Sequence, residues 1–364
     1  MLYYLHRLEP VFGPFRLFRY WSFRSMGAFV TALAVSLVFG PVIIRLLKRR
    51  GARDAGREFG GLNAIGKEGT PTMGGLLILV GLFTAALLWC DLGNPQVLIV
   101  LAAALFFGGV GAWDDILKVR HRSNERGLSR GAKYLSQIAF GLIIGVLLLV
   151  APLSPLSPEV ARTLTVPLYR EGIYLGILCL PVTVVFIVLA SNSVNITDGL
   201  DGLAIAPAML VAMVLGVFAF VVGTESLAGT LWFHYVPGTD ELTVFCAALV
   251  GAGAGFLWFN SHPASIFMGD TGSLALGGVL GTLALLTRQE IVFFVAGGIF
   301  VVEAGTSFIQ DYIGLKLLGR RIFFRAPYHH SLMHQGASET KVTIRFWILS
   351  AIFAVMALST LKLR

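Results

Sequence analysis

The chain has 364 residues, 56% of them hydrophobic and 13% charged, and a formal net charge of +8. A mean hydropathy of +0.80 excludes an ordinary soluble globular protein and predicts a polytopic membrane protein. The charge does not imply a nucleic-acid partner, because the lysines and arginines fill particular loops between apolar runs rather than one patch.

Residues 1–25 mix arginines with Phe, Tyr and Trp and hold no short apolar core before a cleavage site. They read as an interfacial segment whose rings sit at headgroup level. Ten apolar runs follow, over 26–47, 72–90, 96–112, 134–151, 173–190, 203–222, 242–259, 273–286, 291–318 and 342–361. Most approach the roughly 17–25 residues that cross a bilayer as helix. Hydrocarbon leaves backbone groups no partner but one another, so helices are expected rather than strands. The eighth run is short; the ninth is long and carries Glu303 and Asp311, which predicts a bend or partial exit. The expected fold is all-α, with about ten transmembrane helices in a single domain spanning 1–364. Cys90, Cys179 and Cys246 fall in or at the ends of apolar runs and read as small buried hydrophobes.

Orientation follows from charge. Lys48, Arg49, Arg50, Arg53, Arg57 and Lys67 fill the first loop, Lys118 to Lys133 the third, and Lys316 to Lys341 the ninth. Ten spans put these loops on one side, and the positive-inside rule makes it cytoplasmic, with both termini outside. Arg7, Arg16, Arg19 and Arg24 pull the other way but are outnumbered.

Polar islands interrupt this pattern, and polar groups near hydrocarbon are costly enough to suggest chemistry. Segment 66–75 joins glycines, Lys67, Thr70 and Thr72 ahead of the second run, where free N–H groups meet an anion readily; an ordinary loop and cap reads equally well. Asp114 and Asp115 follow the third run, an adjacent pair suited to a general base, a metal contact or both, against a solvated helix end paired to Lys118. Segment 192–202 holds Asn192, Asn195, Asp198 and Asp201, more polar groups than one helix cap requires; in helix, Asp198 and Asp201 would share a face. Segment 260–273 places Asp270 in a glycine-flanked loop beside the eighth run, suited to Mg²⁺, which takes oxygen ligands and keeps substrate phosphates in its shell. In the same segment Phe267 reads as an interface anchor or a base-stacking ring, and His262 as structural. The last island, 320–330, ends in His329 and His330 within a basic loop that would attract a phosphorylated substrate. Zinc is disfavoured because no cysteine lies in a cytoplasmic loop. The residues alone support Mg²⁺-assisted phosphoryl transfer between a soluble and a membrane-held substrate.

In order and content these islands resemble the polyprenyl-phosphate N-acetylhexosamine-1-phosphate transferase superfamily, and within it the phospho-N-acetylmuramoyl-pentapeptide-transferase family. The resemblance is carried by Gly69 to Gly75, Asp114-Asp115, Asn195 to Gly202, Phe267 to Ser273 and the late 327–330 segment. Ser331, Leu332 and Met333 depart from that family's usual continuation after the histidine pair. The resemblance implies transfer from UDP-MurNAc-pentapeptide to undecaprenyl phosphate at a Mg²⁺-dependent site in the bacterial inner membrane, giving lipid I and UMP, and a homodimer. It implies Asp114 as base with Asp115 beside it, Asp270 as metal ligand, and His329, His330 and Lys133 near the phosphates. Lys67, Asp201, Asn260 and Phe267 are implied on the uridine side, with Phe267 stacking on uracil. Thr72, Asn195, Asp198 and Gly269 are implied around them, and Asn192 joins them as a substrate-side residue of its island. Two alternatives stand beside this: a related enzyme using UDP-GlcNAc, and a transporter whose ion path is marked by Glu303 and Asp311.

Overall fold

The structure, a computed structural model, describes residues 1–52, 69–123, 126–151 and 153–362. Leu2–Leu8 and Gly13–Arg19 form two short 3-10 helices with no buried residue. They lead into α1 (Trp21–Arg49), α2 (Gly75–Trp89), α3 (Pro95–His121) and α4 (Arg130–Leu149). A four-residue helix, α5 (Pro158–Ala161), precedes a hairpin of β1 (Thr163–Val166) and β2 (Tyr169–Tyr174). Then come α6 (Cys179–Thr197), α7 (Ile205–Gly223), the short α8 (Glu225–Thr230), α9 (Leu242–Asn260) and α10 (Gly269–Leu286). The chain closes with α11 (Glu290–Ala296), α12 (Gly298–Phe308), a π-helical stretch Ile309–Leu317, α13 (Tyr328–His334) and α14 (Glu339–Ser359).

All ten apolar runs are helical over most of their length and the protein is an all-α multi-pass membrane protein. Among the described residues eight helices are long and apolar enough to cross a bilayer, α2 is a shorter apolar helix, and α11–α12 is a broken pair bent by 86°. The bend expected in the ninth run thus falls at Gly297. Four local expectations change. The fifth run starts as helix only at Cys179, because Ile173 pairs with Leu164 in the antiparallel hairpin. The third helix continues past Ala112 to His121, so Asp114 and Asp115 lie within its final turns rather than after it. The second helix starts at Gly75, three residues later than the hydropathy suggests. Asp198 and Asp201 share no helical face, since α6 ends at Thr197 and the next helix begins at Ile205.

The central post is α10, buried at every residue from Asp270 to Leu286. It runs antiparallel to α3, where Gly278 lies on Phe107 and Gly111 on the Asp270 carbonyl, and to α6, where Gly277 meets Ala190 and Ser191. Small residues at such crossings let helices approach closely where no hydrophobic drive separates protein from lipid. Outward faces carry exposed Val30, Val38, Leu135 and Ile143, as a lipid-facing bundle requires.

Polar layers cap both ends of the bundle. At one end Arg24 bridges Glu241 at 2.5 Å, and Glu241 accepts from the Asp91 N–H at 2.7 Å. Nearby, the Asn94 and Gln96 amides donate to the carbonyls of Gly238 and Pro237. The starts of α1 and α3 lie here. The opposite end gathers the sequence islands.

Candidate active site

Three aspartates from two helices meet at that second end. Carboxylate oxygens of Asp114, Asp115 and Asp270 all lie within 4.8 Å of one another. Asp115 is engaged with the start of α10: Oδ1 accepts from the Asp270 N–H at 3.1 Å, and Oδ2 from the Thr271 N–H at 2.9 Å and hydroxyl at 2.6 Å. No α10 side chain caps that helix start, so a carboxylate from α3 satisfies its orphan donors and meets the positive end of its dipole. Gly269 makes the approach feasible: its φ is +69°, and a Cβ there would sit 2.5 Å from Asp115 Oδ2 and 2.9 Å from Thr72 Oγ1.

Asp114 and Asp270 share two lysines. Lys118 Nζ lies 2.6 Å from Asp114 Oδ2 and 3.3 Å from Asp270 Oδ2; Lys133 Nζ lies 3.0 Å and 2.5 Å from the same two atoms. Asp114 is fully buried, and its other oxygen accepts from the Leu128 N–H at 2.6 Å. Asp270 Oδ1 accepts from Asn195 Nδ2 at 3.1 Å, and the same amide donates to Ser273 Oγ at 2.8 Å. Buried carboxylates this close need cations between them. The lysines supply two.

This set fits a hard divalent cation. Asp115 is saturated by the start of α10, whereas the Oδ2 atoms of Asp114 and Asp270 face only the ammonium groups of Lys118 and Lys133. One or two carboxylates completed by water and phosphate is the usual Mg²⁺ environment. A second acidic group, Asp201, His262 and Glu339, also lies within 4.8 Å. Its atoms are largely spent on the fold: Asp201 Oδ2 accepts from His262 Nδ1 and the Ala264 N–H, both at 3.1 Å, and Glu339 Oε1 accepts from the Asp201 N–H at 3.0 Å.

Asn260, buried, accepts from the Gly202 N–H at 3.0 Å and donates to the Ile266 carbonyl at 2.9 Å, so it ties the 198–204 turn to the 261–268 loop. Half-buried Phe267 belongs to that loop, whose backbone pairs with the segment before α2: its N–H donates to the Pro71 carbonyl and its carbonyl accepts from the Gly74 N–H, each at 2.8 Å. Thr72 sits in the same seam, its N–H on the Ala52 carbonyl at 2.9 Å. Asp198 closes α6. Asn192 points elsewhere in α6, donating to Gln137 Oε1 at 2.7 Å and the Val188 carbonyl at 2.8 Å. Buried His329 pairs through Nδ1 with Glu303 Oε2 at 2.6 Å, its ring tilted against that of His330 with centroids 4.1 Å apart. Lys67 lies outside the described residues.

Lys118, Thr271 and Ser273 join the site without having been singled out as site residues. Lys118 is four residues after Asp114 on one helix, a spacing that signals an ion pair; nothing local marks the other two. Glu303 and Asp311 do not line a common path: Glu303 is fully buried against His329, and Asp311 is exposed.

The fold and site define a membrane-embedded transferase class, and residues 97–288 match the family described as glycosyl transferase family 4. Residues 67–79 match phospho-N-acetylmuramoyl-pentapeptide-transferase signature 1. The chain is 47% identical to the phospho-N-acetylmuramoyl-pentapeptide-transferase of Desulfovibrio desulfuricans over 99% of both chains. It is 42% identical to that of Methylacidiphilum infernorum over the full length of both. The chain belongs to the phospho-N-acetylmuramoyl-pentapeptide-transferase family.

Proposed function

We propose that the protein transfers phospho-MurNAc-pentapeptide from UDP-MurNAc-pentapeptide to undecaprenyl phosphate in peptidoglycan synthesis, releasing UMP and forming lipid I. The whole chain, 1–364, acts as one transferase domain. The observation that carries the reading is the junction where Asp114 and Asp270, remote in sequence, share Lys118 and Lys133 at one end of a membrane bundle.

Both reactants are anionic, so the protein must hold them together and offset their charge more than make covalent bonds. Lys118 and Lys133 do this by exchange. Phosphate oxygens compete with the carboxylates for the two ammonium groups. As the lysines move towards phosphate, Asp114 Oδ2 is freed to take the proton of the lipid phosphate. Asp115 remains on the start of α10 and keeps Asp270 aimed into the junction. Asp270, with Asp114 beside it, would hold Mg²⁺, which when bound offsets charge on the phosphoryl oxygens.

Lys67, Thr72, Asn195, Asp198, Asp201, Asn260, Phe267 and Gly269 form the nucleotide side, with Phe267 stacking on uracil, while Asn192 supports α6 from behind through Gln137. His329 and His330 serve the phosphates. The site faces the cytoplasm across the bacterial inner membrane and both termini lie outside. In support, the basic ends of α1, α3 and the π-helical stretch lie at the site end, as the positive-inside tendency requires. The undecaprenyl chain runs along the lipid face, residues 1–25 lie in the interface, and the working unit is a homodimer.

The test supplies purified protein with Mg²⁺, undecaprenyl phosphate and either UDP-MurNAc-pentapeptide or UDP-GlcNAc. UMP release and a lipid-linked product are expected with the first donor; exclusive turnover of the second overturns the assignment.

A further inference from the structure

Of the buried acids that the catalytic junction leaves unused, Glu303 is fully buried and holds a histidine of the last sequence island. It lies on α12, in the broken ninth element, and its partner His329 on α13 is fully buried too. The carboxylate holds this histidine twice: Oε1 accepts from the His329 backbone N–H at 3.1 Å, and Oε2 meets ring Nδ1 at 2.6 Å. A carboxylate can only accept, so Nδ1 carries the proton and the ring is fixed in one orientation. The other nitrogen, Nε2, is buried and has no hydrogen-bond partner among the described residues. It is aimed at Gly199, where any Cβ would collide with it.

Gly199 follows Asp198 in the turn leaving α6, the helix whose Asn195 holds Asp270. The unsatisfied nitrogen therefore points into the backbone of the substrate-side turn. A buried polar atom without a partner is costly, so a ring locked this way calls for a function. Serving as packing alone would need neither the acid nor the orphaned nitrogen. The carboxylate–histidine arrangement resembles those that orient imidazoles elsewhere, where the acid sets tautomer and angle while the far nitrogen meets the reacting group.

We infer that Glu303 is a positioning residue for phosphoryl transfer: it locks His329 with Nδ1 protonated and turns Nε2 towards the turn at Gly199 to meet a phosphate oxygen of the bound diphosphate. The ring donates through Nε2–H when doubly protonated, and the Glu303 carboxylate offsets the resulting buried positive charge. This rests on the transferase reading for the identity of the ligand, but not for the Glu303–His329 pair itself.

Two measurements test it. The first compares the wild type, Glu303→Gln, His329→Gln and the double variant in UMP release, alongside thermal unfolding and uridine diphosphate binding. At metal-bound histidines, losing the orienting partner costs roughly 10–100-fold in metal affinity or activity, which sets the scale here. The expected result is a drop of that size in kcat for Glu303→Gln, with nucleotide affinity changed less than about threefold. The double variant should be no slower than His329→Gln, because the acid acts only through the ring. Wild-type kcat in Glu303→Gln, or losses that multiply in the double variant, would overturn the inference. The second measurement is ¹⁵N NMR of histidine-labelled protein, assigned through His329→Gln, which reads the ring without turnover. An unprotonated Nδ1 in the wild type overturns the inference even where Glu303→Gln fails to fold. A wild type inactive on every donor but with Nδ1 protonated would instead indict the transferase reading.

Discussion

Replacing Asp115 by Asn separates the two adjacent aspartates most sharply. Asp115 accepts three hydrogen bonds from the start of α10, through both oxygens. Asparagine keeps one acceptor oxygen and turns an NH₂ group against donors that it cannot satisfy. Hydrogen bonds to a charged group are worth about 1.5–3 kcal/mol each, and a buried N–H left unpaired costs a similar amount. Either one or two of the bonds are lost, depending on which oxygen remains, and the partial charge at the helix start loses its counter-charge. A net destabilisation of about 3 kcal/mol follows. With an unfolding entropy near 2 cal/mol/K per residue, this corresponds to a fall in Tm of about 4 °C. Because Asp270 is carried by the same turn, turnover should also fall, by at least about tenfold. Asp114→Asn is the control: it keeps the Leu128 N–H bond and loses only the lysine pairing, so it should lose activity with a much smaller change in Tm. Unfolding followed by tryptophan fluorescence in detergent, with UMP release on the same samples, decides the point. If Asp115→Asn melts with the wild type while Asp114→Asn does not, the assignment of Asp115 to the α10 start is wrong.

Two further outcomes follow from the same geometry. Lys133→Met removes a cation 2.5 Å from Asp270 and 3.0 Å from Asp114, so divalent-ion affinity should rise at least about tenfold while turnover collapses; Mn²⁺ binding followed by electron paramagnetic resonance checks the first part. Arg24→Met, at the opposite end, leaves Glu241 buried without its ion pair and should cost about 3–5 kcal/mol in stability, with KM for the nucleotide unchanged in the fraction that remains folded.

The membrane character was legible without coordinates. Hydropathy is a property of consecutive residues, and a bilayer demands about 20 of them per helix, so each of the ten runs announced itself locally. So did the chemical islands, because a carboxylate or carboxamide beside hydrocarbon stands out against its neighbours. The family resemblance added roles to those positions. What no local signal contained was the partner of each polar group. Asp114 and Asp115 look alike in sequence, yet one pairs with two lysines and the other holds a helix start, because successive positions on a helix point about 100° apart. Lys118 reads as an ordinary helix ion pair until α10 brings Asp270 to it. Asn192 and Asn195 share an island, yet only Asn195 meets the aspartates, while Asn192 binds Gln137. Glu303 read as an intramembrane charge that could mark an ion path; packing instead gave it a histidine from a separate helix. Sequence alone thus settled the solvent, the all-α multi-pass architecture and the inventory of reactive groups. Which groups touch was decided by helix rotation and close glycine-mediated crossings, quantities that arise only when separate segments pack together.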